Sequence, residues 1–237
     1  MKKIYAQILK AKARNQKLLA ILIDPDKTHP DQVPALSQKI NQSPATHIFI
    51  GGSTFNGNNL DEIVIAFKEN SNLPIVLFPG HPSQISRYAD GILFLTLLSG
   101  RNPDFLIGHQ VDAVPKLLQT NLEIMATGYI LIESGTATAV ARVSQTTPLN
   151  RDNSEYVVQT ALAGAMLGNK LIYLEAGSGA TLSVPVEMIT LAQQKLTVPL
   201  IVGGGIRSKA QIQKAFHAGA DIVVIGTAFE NDNTFFD

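Results

Sequence analysis

Cysteine is absent from the 237-residue chain, and this absence excludes several kinds of chemistry at once. Disulfides, thiolate nucleophiles and cysteine metal sites cannot form, and a reducing cytoplasm is the compartment that this composition favours. A net charge is also absent, because 19 basic side chains balance 19 acidic ones. A protein without basic excess lacks the electrostatic signature of nucleic-acid binding. We therefore predict a cytoplasmic protein with no nucleic-acid partner.

Long apolar runs near the N-terminus are missing as well. The run at 18–23, LLAILI, is much shorter than the about 20 apolar residues that a membrane-spanning helix requires. It continues into DPDK and not into a small-residue cleavage site, which argues against a signal peptide. We predict no transmembrane segment and at most a transient contact with a membrane surface.

Eight short apolar runs are present, and most of them end in a polar or glycine-rich turn. Their continuous hydrophobicity is typical of strands that are buried on both faces. Helix-like stretches separate most of the runs. Eight such units predict a single (β/α)8 barrel domain over residues 1–237, with a doubly wound open sheet as the alternative. The runs lie at 18–24, 46–53, 73–80, 91–98, 123–133, 170–177, 199–205 and 221–227, and the helical stretches at 31–40, 59–70, 103–119, 155–168, 184–195 and 208–220.

Three segments interrupt this pattern. The stretch 81–90 allows at most a brief helix, and the small, polar segment 133–150 is predicted to be a long loop. After the eighth run, residues 228–237 are too few for a full final helix. Either the natural chain is longer or another subunit covers that edge of the barrel, and on this basis we predict a homo-oligomer.

Glycines end the seventh and eighth runs, at Gly203–Gly205 and at Gly226. The loops after these two strands form the usual phosphate site of such barrels, and bare backbone N–H groups can approach an anion closely there. We predict that Gly203, Gly204 and Thr227 supply N–H donors to a phosphorylated ligand and that Gly226 provides room. The alternative is that these glycines only form tight turns.

Acidic and hydroxyl side chains follow the first two runs. Asp24, Asp26 and Ser53 carry hard oxygen ligands, and Mg²⁺ prefers one or two carboxylates together with water and substrate phosphate. A magnesium-bridged diphosphate is therefore one interpretation. In the other, Asp26 caps the next helix and Asp24 pairs with Lys27.

Glu175 ends the sixth run, next to the predicted phosphate loops. A carboxylate in this place can act as the general base for a hydroxyl group, or it can be a salt-bridged residue at a strand end. The neighbouring Tyr173 fits barrel packing. Arg207 follows the glycine run and either helps to hold phosphate or is solvated.

The motifs DPDK, GGS, YLEAGSG, GGGIRS and IGTAFE together resemble those of geranylgeranylglyceryl phosphate synthases, over residues from Leu18 to about Glu230. The resemblance implies a magnesium-dependent prenyltransferase that joins geranylgeranyl diphosphate to the C3 hydroxyl of sn-glycerol 1-phosphate and releases diphosphate. One departure is Leu22, where some members of the family carry a lysine.

The resemblance also assigns residues to roles. It implies that Asp24 and Ser53 hold Mg²⁺ and that Glu175 activates the hydroxyl group of glycerol phosphate. It implies a substrate-binding segment consisting of Tyr173, Leu174, Glu175, Ala176, Gly177, Ser178 and Gly179, and a phosphate cradle consisting of Gly203, Gly204, Gly226 and Thr227. Two alternatives stay open: a phosphosugar isomerase or lyase without magnesium, and a non-catalytic barrel that binds a phosphorylated ligand.

Overall fold

The chain forms a closed parallel barrel in the computed structural model, which describes residues 3–54, 57, 59–232 and 235–236. Strands pair in chain order, and the last strand closes the ring on the first. The predicted closed barrel is confirmed, the open sheet is wrong, and the single domain over residues 1–237 stays a prediction. The strands are β1 (Leu18–Ile23), β2 (His47–Ile50), β3 (Ile75–Leu77), β4 (Gly91–Leu97), β5 (Glu123–Leu131), β6 (Leu171–Glu175), β7 (Leu200–Gly203) and β8 (Ile222–Ile225).

Helices surround the barrel, and each predicted helical stretch overlaps one. Three further helices lie outside those stretches: α1 precedes the first strand, α5 lies within 133–150, where a long loop was predicted, and the short α9 follows the last strand. The α5 helix forms because the side chain of Thr138 accepts the backbone N–H of Ala141 at its start. The helices are α1 (Ile4–Ala13), α2 (Val33–Gln42), α3 (Leu60–Asn70), α4 (His109–Leu117), α5 (Ala139–Ser144), α6 (Ser154–Met166), α7 (Val186–Lys195), α8 (Lys209–Ala218) and α9 (Thr227–Asn231).

The α1 helix covers the amino-terminal end of the barrel. Its Ile4 and Ile8 belong to the apolar cluster that fills the barrel interior. The carboxylate of Glu123, at the start of β5, accepts the backbone N–H groups of Ile4 and Tyr5, which holds the first turn of the helix in place. The carboxyl ends of the strands are thus left as the place for a site.

The helical layer has a gap beside β3 and β4. Residues 78–90 connect these strands through turns without a helix, as the sequence predicted. Elsewhere the helices pack side by side: α2 against α3, α6 against α7, and α7 against α8. Within the described residues, α4 has no neighbouring helix packed against it in this way, and a π-helical segment (Asp104–Gly108) leads into it. Of the helices described, none is long and apolar enough to cross a bilayer.

Candidate active site

A cavity of about 370 Å³ opens at the carboxyl ends of the strands. One half of it is polar and combines the predicted metal residues, Asp24 and Ser53, with Glu175 and with the loops after β7 and β8. Residues from five strand ends thus meet at one place, as the barrel topology predicts. The predicted residues that line this half are Asp24, Ser53, Tyr173, Glu175, Gly177, Ser178, Gly179, Gly204, Gly226 and Thr227.

The other half of the cavity is an apolar groove. It runs between the β3–β4 connection and α4, because the helix that would otherwise cover β3 is missing there. The amide nitrogen of Gln110 in α4 donates to the backbone carbonyls of Leu95 and Phe105 and so ties the π-helical segment to β4. A groove of this shape suits an elongated apolar chain. Its lining includes Ile85, Ile92, Phe94, Leu95, Phe105 and Ala113.

Glu175 lies at the end of β6 and is only 5% exposed. The pKa of its carboxyl group is raised from 4.5 to about 7, chiefly by burial. Two contacts oppose this rise in part: the nearby hydroxyl of Tyr173, and a hydrogen bond of 2.6 Å from the Gly177 N–H. Among the described residues no cationic side chain forms an ion pair with it, so the salt-bridged strand-end interpretation does not describe this glutamate. A carboxyl group with a pKa near neutrality is suited to accept a proton.

The glycines after β7 allow the backbone to approach Glu175. Gly203 is the register partner of Glu175, and a side chain at Gly204 would overlap the carboxylate. Gly204 and Gly205 also adopt positive φ angles of 79° and 67°, which L side chains rarely adopt. Tight turns therefore account for part of the need for glycine at these positions, as the alternative interpretation held. Phosphate binding by this loop stays a prediction. At Gly226 an added Cβ would make ordinary contacts with Leu22, so crowding does not require glycine there.

Asp24 and Ser53 lie at neighbouring strand ends beside the groove. Asp24 forms an ion pair with Lys27 at 3.1 Å, as one interpretation of the sequence predicted, and it also accepts the N–H of Asp26. The short helical turn that follows is capped by His29 and not by Asp26. A side-chain amide, that of Gln84, bonds the backbone of Gly52 and of Gly80 and holds the two loops together.

Asp24 and Ser53 fit an Mg²⁺ site in which water and substrate supply the other ligands. Within the described residues, no three carboxylate or histidine side chains converge to hold a metal. A single carboxylate beside a hydroxyl group is nevertheless typical of Mg²⁺ sites in which water and substrate phosphate complete the coordination. Asp24 and Ser53 are such a pair, and both line the cavity.

An aromatic cluster that the sequence analysis missed borders Glu175. The rings of Phe78 and Tyr173 stack at 5.3 Å between centroids, and Tyr129 lies 5.4 Å from Tyr173. The two tyrosines are buried, and their pKa values are raised well above the usual value, chiefly by burial and then by the charge of Glu175. These residues come from three different strands or strand ends, so only barrel closure brings them together.

The remaining predicted residues lie around this centre. Leu174 and Ala176 belong to the apolar layer between barrel and helices and are not among the residues that line the cavity. Arg207 donates to the carbonyl of Ala180 at 2.8 Å and links the loops after β6 and β7. His81 stacks edge-on against His109 at 5.1 Å, and both line the cavity.

A closed barrel with a buried carboxylate and an apolar groove at the carboxyl ends of its strands is the arrangement of a (β/α)8-barrel enzyme. The model of the PcrB family matches residues 10–237. The chain belongs to the PcrB family.

Named relatives agree with this assignment. The chain is 61% identical over 234 residues to a geranylgeranylglyceryl phosphate synthase of Flavobacterium johnsoniae, covering 99% of this chain and 96% of the relative. It is 52% identical to the synthase of Zunongwangia profunda, with 98% of each chain covered. The solved structure of (S)-3-O-geranylgeranylglyceryl phosphate synthase from Thermoplasma acidophilum in complex with its substrate sn-glycerol-1-phosphate superposes with a TM-score of 0.94 at 32% identity, covering 100% of this chain and 95% of that one. The resemblance found in the sequence is confirmed.

Proposed function

We propose that the chain is a prenyltransferase that forms an ether between geranylgeranyl diphosphate and the C3 hydroxyl of sn-glycerol 1-phosphate. The names of its relatives support this activity, and so does the division of the cavity into a polar half and an apolar groove. The observation that carries the proposal is Glu175, a buried carboxylate with a pKa near neutrality that lines the cavity.

The polar half holds the glycerol phosphate in this proposal. Backbone N–H groups of the loops after β7 and β8, at Gly204 and Thr227, bind its phosphate, since both residues line the cavity. The hydroxyl group then points towards Glu175. The groove between the β3–β4 connection and α4 takes the prenyl chain.

In the reaction, the C3 hydroxyl attacks the allylic carbon while the bond from that carbon to the diphosphate oxygen breaks. The hydroxyl proton passes to the carboxylate of Glu175, and diphosphate leaves with the bonding electron pair. The aromatic side chains of Phe78, Tyr129 and Tyr173 line the same cavity as Glu175, and in this proposal they stabilise positive charge that develops on the allyl group.

We also propose that Asp24 and Ser53 hold Mg²⁺. The ion, when bound, neutralises the negative charge that builds up on the leaving diphosphate. Lys27, which pairs with Asp24, adds positive charge at the same place. We place the reaction in the cytoplasm, a location that the absence of cysteine favours.

Product analysis tests the proposal. The protein is incubated with Mg²⁺, sn-glycerol 1-phosphate and a mixture of prenyl diphosphates of several lengths, and mass spectrometry then identifies the products. We expect the geranylgeranyl ether together with released diphosphate, and much less product from sn-glycerol 3-phosphate. Turnover of phosphosugars without magnesium would support an isomerase or lyase instead, and ligand binding without any turnover would support a non-catalytic barrel.

A further inference from the structure

Positive charge is concentrated on α1 and the residues around it, at the opposite end of the barrel from the cavity. Residues 1–17 contain six lysine or arginine residues and no acidic residue, a formal charge of +6. The remaining residues hold the other 13 of the 19 basic residues and all 19 acidic ones, a formal charge of −6. The balanced total therefore hides two parts of opposite charge. The six basic residues are Lys2, which lies outside the described residues, and Lys3, Lys10, Lys12, Arg14 and Lys17.

Contacts with the starts of several strands hold α1 across the amino-terminal end of the barrel. Lys12 forms an ion pair at 2.9 Å with Asp221, just before β8. The ammonium group of Lys170, just before β6, lies 5.5 Å from the centre of the Tyr5 ring. Together with the bonds from the start of the helix to Glu123, these contacts fix which side of α1 faces the solvent.

The side of α1 that faces the solvent is basic. Lys3, Lys10 and Arg14 are exposed, and their spacings of seven and four residues place them on one side of a helix. Among the residues that the structure describes, no acidic side chain forms an ion pair with any of the three. Leu9, beside Lys10, is 40% exposed. We call this surface the α1 face; its members are Lys3, Leu9, Lys10, Arg14 and the exposed Lys170.

The surroundings of the α1 face reinforce its charge. Lysines lie in the last turns of α2, α3, α4 and α7, which end at the amino-terminal end of the barrel, and there they also complement the helix dipoles. Three acidic residues at this end are already bonded: Asp90 to Lys68, Asp221 to Lys12, and Glu123 to the first turn of α1. Their charges therefore do little to cancel that of the α1 face.

We propose that the α1 face binds the surface of a bilayer that contains anionic lipids. Clusters of four to eight lysine or arginine residues on a helix are typical of such contacts, and each residue near the surface strengthens binding by about fivefold. The apolar side of α1, with Ile4 and Ile8, is buried in the barrel. Only Leu9 can enter the lipid interface, so the contact is mainly electrostatic and reversible.

Two observations favour a bilayer over a nucleic acid. The first is Leu9, because an exposed leucine within a basic face gains from a lipid interface and has no partner on a phosphate backbone. The second is the position of the apolar groove. Ile92, the second residue of β4, lines the groove, and a Cβ added at the adjacent Gly91 would lie 3.0 Å from Cδ1 of Ile4 in α1. The groove thus extends towards the end of the barrel that carries α1.

This position gives the contact a use. A prenyl chain that leaves the groove at its lower end would do so close to the bilayer surface. That use rests on the proposed function, whereas binding of the α1 face to a bilayer does not.

Co-sedimentation of the full chain with lipid vesicles tests the proposal. At about 0.05 M salt we expect binding to phosphatidylcholine vesicles that contain about one-third phosphatidylglycerol, and we expect its loss at about 0.5 M salt, where charges are screened within a few ångströms. Vesicles of phosphatidylcholine alone are expected to bind far less of the chain. No binding to the anionic vesicles, or equal binding to both kinds, overturns the proposal.

The double variant Lys10→Gln/Arg14→Gln locates the contact. It removes two cations and leaves Ile4 and Ile8 in place, so we expect an unchanged unfolding temperature and an affinity for anionic vesicles that is about 25-fold lower. The matched control is Lys209→Gln/Lys214→Gln, which removes two cations from α8. The control is expected to bind like the wild type. Equal losses in the two double variants would assign the binding to net charge and overturn the α1 face.

Binding to a short RNA duplex distinguishes the other class of partner. Tighter binding to the duplex than to the anionic vesicles, lost in Lys10→Gln/Arg14→Gln, would assign the face to nucleic acid and overturn the bilayer. All these assays measure binding without turnover, so their outcome is independent of whether the proposed prenyl transfer takes place.

Discussion

Gly203 and Glu175 are register partners on β7 and β6, and a Cβ added at Gly203 would lie 2.8 Å from Oε2 of the carboxylate. The bare backbone of β7 therefore forms one wall around the carboxylate of Glu175. A larger residue at position 203 would overlap Glu175, and this explains the glycine at the end of β7 without any reference to a ligand.

The next glycine provides a test of this wall. Gly204→Ala is expected to lower kcat/KM by about 10²-fold and to raise the KM for glycerol phosphate, because the new Cβ displaces the carboxylate or the loop. Gly168→Ala is the control: Gly168 also has a positive φ, 99°, but has no atom within 4 Å of an added Cβ. Both variants lose about 1–2 kcal/mol of stability from backbone strain. Equal kinetic effects in the two would contradict a specific role for the contact.

Glu175→Gln removes the proposed base and keeps its size. We expect kcat to fall by about 10²–10⁴-fold, the usual contribution of a general base, with little change in the affinity for glycerol phosphate. In the wild-type enzyme the activity is expected to rise as the pH increases through about 7, where the carboxyl group loses its proton. Steady-state kinetics over a pH series and direct ligand titration measure both effects. A near-normal kcat in the variant would assign the proton to another acceptor.

Asp24→Asn is expected to shift the Mg²⁺ dependence of turnover to higher concentrations, because it removes a carboxylate ligand from the proposed metal site. The variant also breaks the ion pair with Lys27. Lys27→Met therefore serves as the control, since it breaks the same pair but keeps the carboxylate. Identical magnesium titrations for Asp24→Asn and the wild type would remove Asp24 from the metal site.

His47 makes the fold sensitive to acid. It is buried at the start of β2, and burial lowers its pKa from 6.5 to about 4. Between pH 6.5 and 4 the unfolded chain binds more protons at this residue than the folded chain, so the contribution of His47 to stability falls as the pH falls through that range. The loss at pH 5 is about 2 kcal/mol.

Urea unfolding at pH 5 and pH 7 measures this effect. The unfolding free energy at pH 7 minus that at pH 5 is expected to be about 2 kcal/mol lower in His47→Leu than in the wild type, because the variant loses the contribution of His47 and keeps the opposite contribution of the buried Glu175. His217→Leu is the control, because His217 is exposed on α8. If the two variants show the same pH dependence as the wild type, His47 does not titrate as the structure indicates.

The sequence was sufficient to predict the barrel because the strands are short apolar runs, most of which end at a glycine or polar turn. Glu175 could be placed at the mouth of the barrel for the same reason. The aromatic cluster could not be predicted from the sequence. Phe78, Tyr129 and Tyr173 are distant from one another in the chain, and each resembles an ordinary core residue. The α1 helix was missed, because Glu123, which caps it, lies 119 residues further along the chain than Ile4. The roles of Asp24, Ser53 and the phosphate loops stay predictions.

Burial of Glu175 also opposes folding. Its pKa is 4.5 when exposed and about 7 in the folded chain, so the folded chain holds this proton more tightly, and stability is lost as the pH rises from 4.5 through about 7. Above that range the cost is about 3 kcal/mol. Glu175→Gln is therefore expected to be more stable than the wild type at pH 8. If Glu175 is the base, as we propose, laboratory evolution that rewards heat resistance alone would enrich chains with low activity at this position, so turnover has to be selected in the same round.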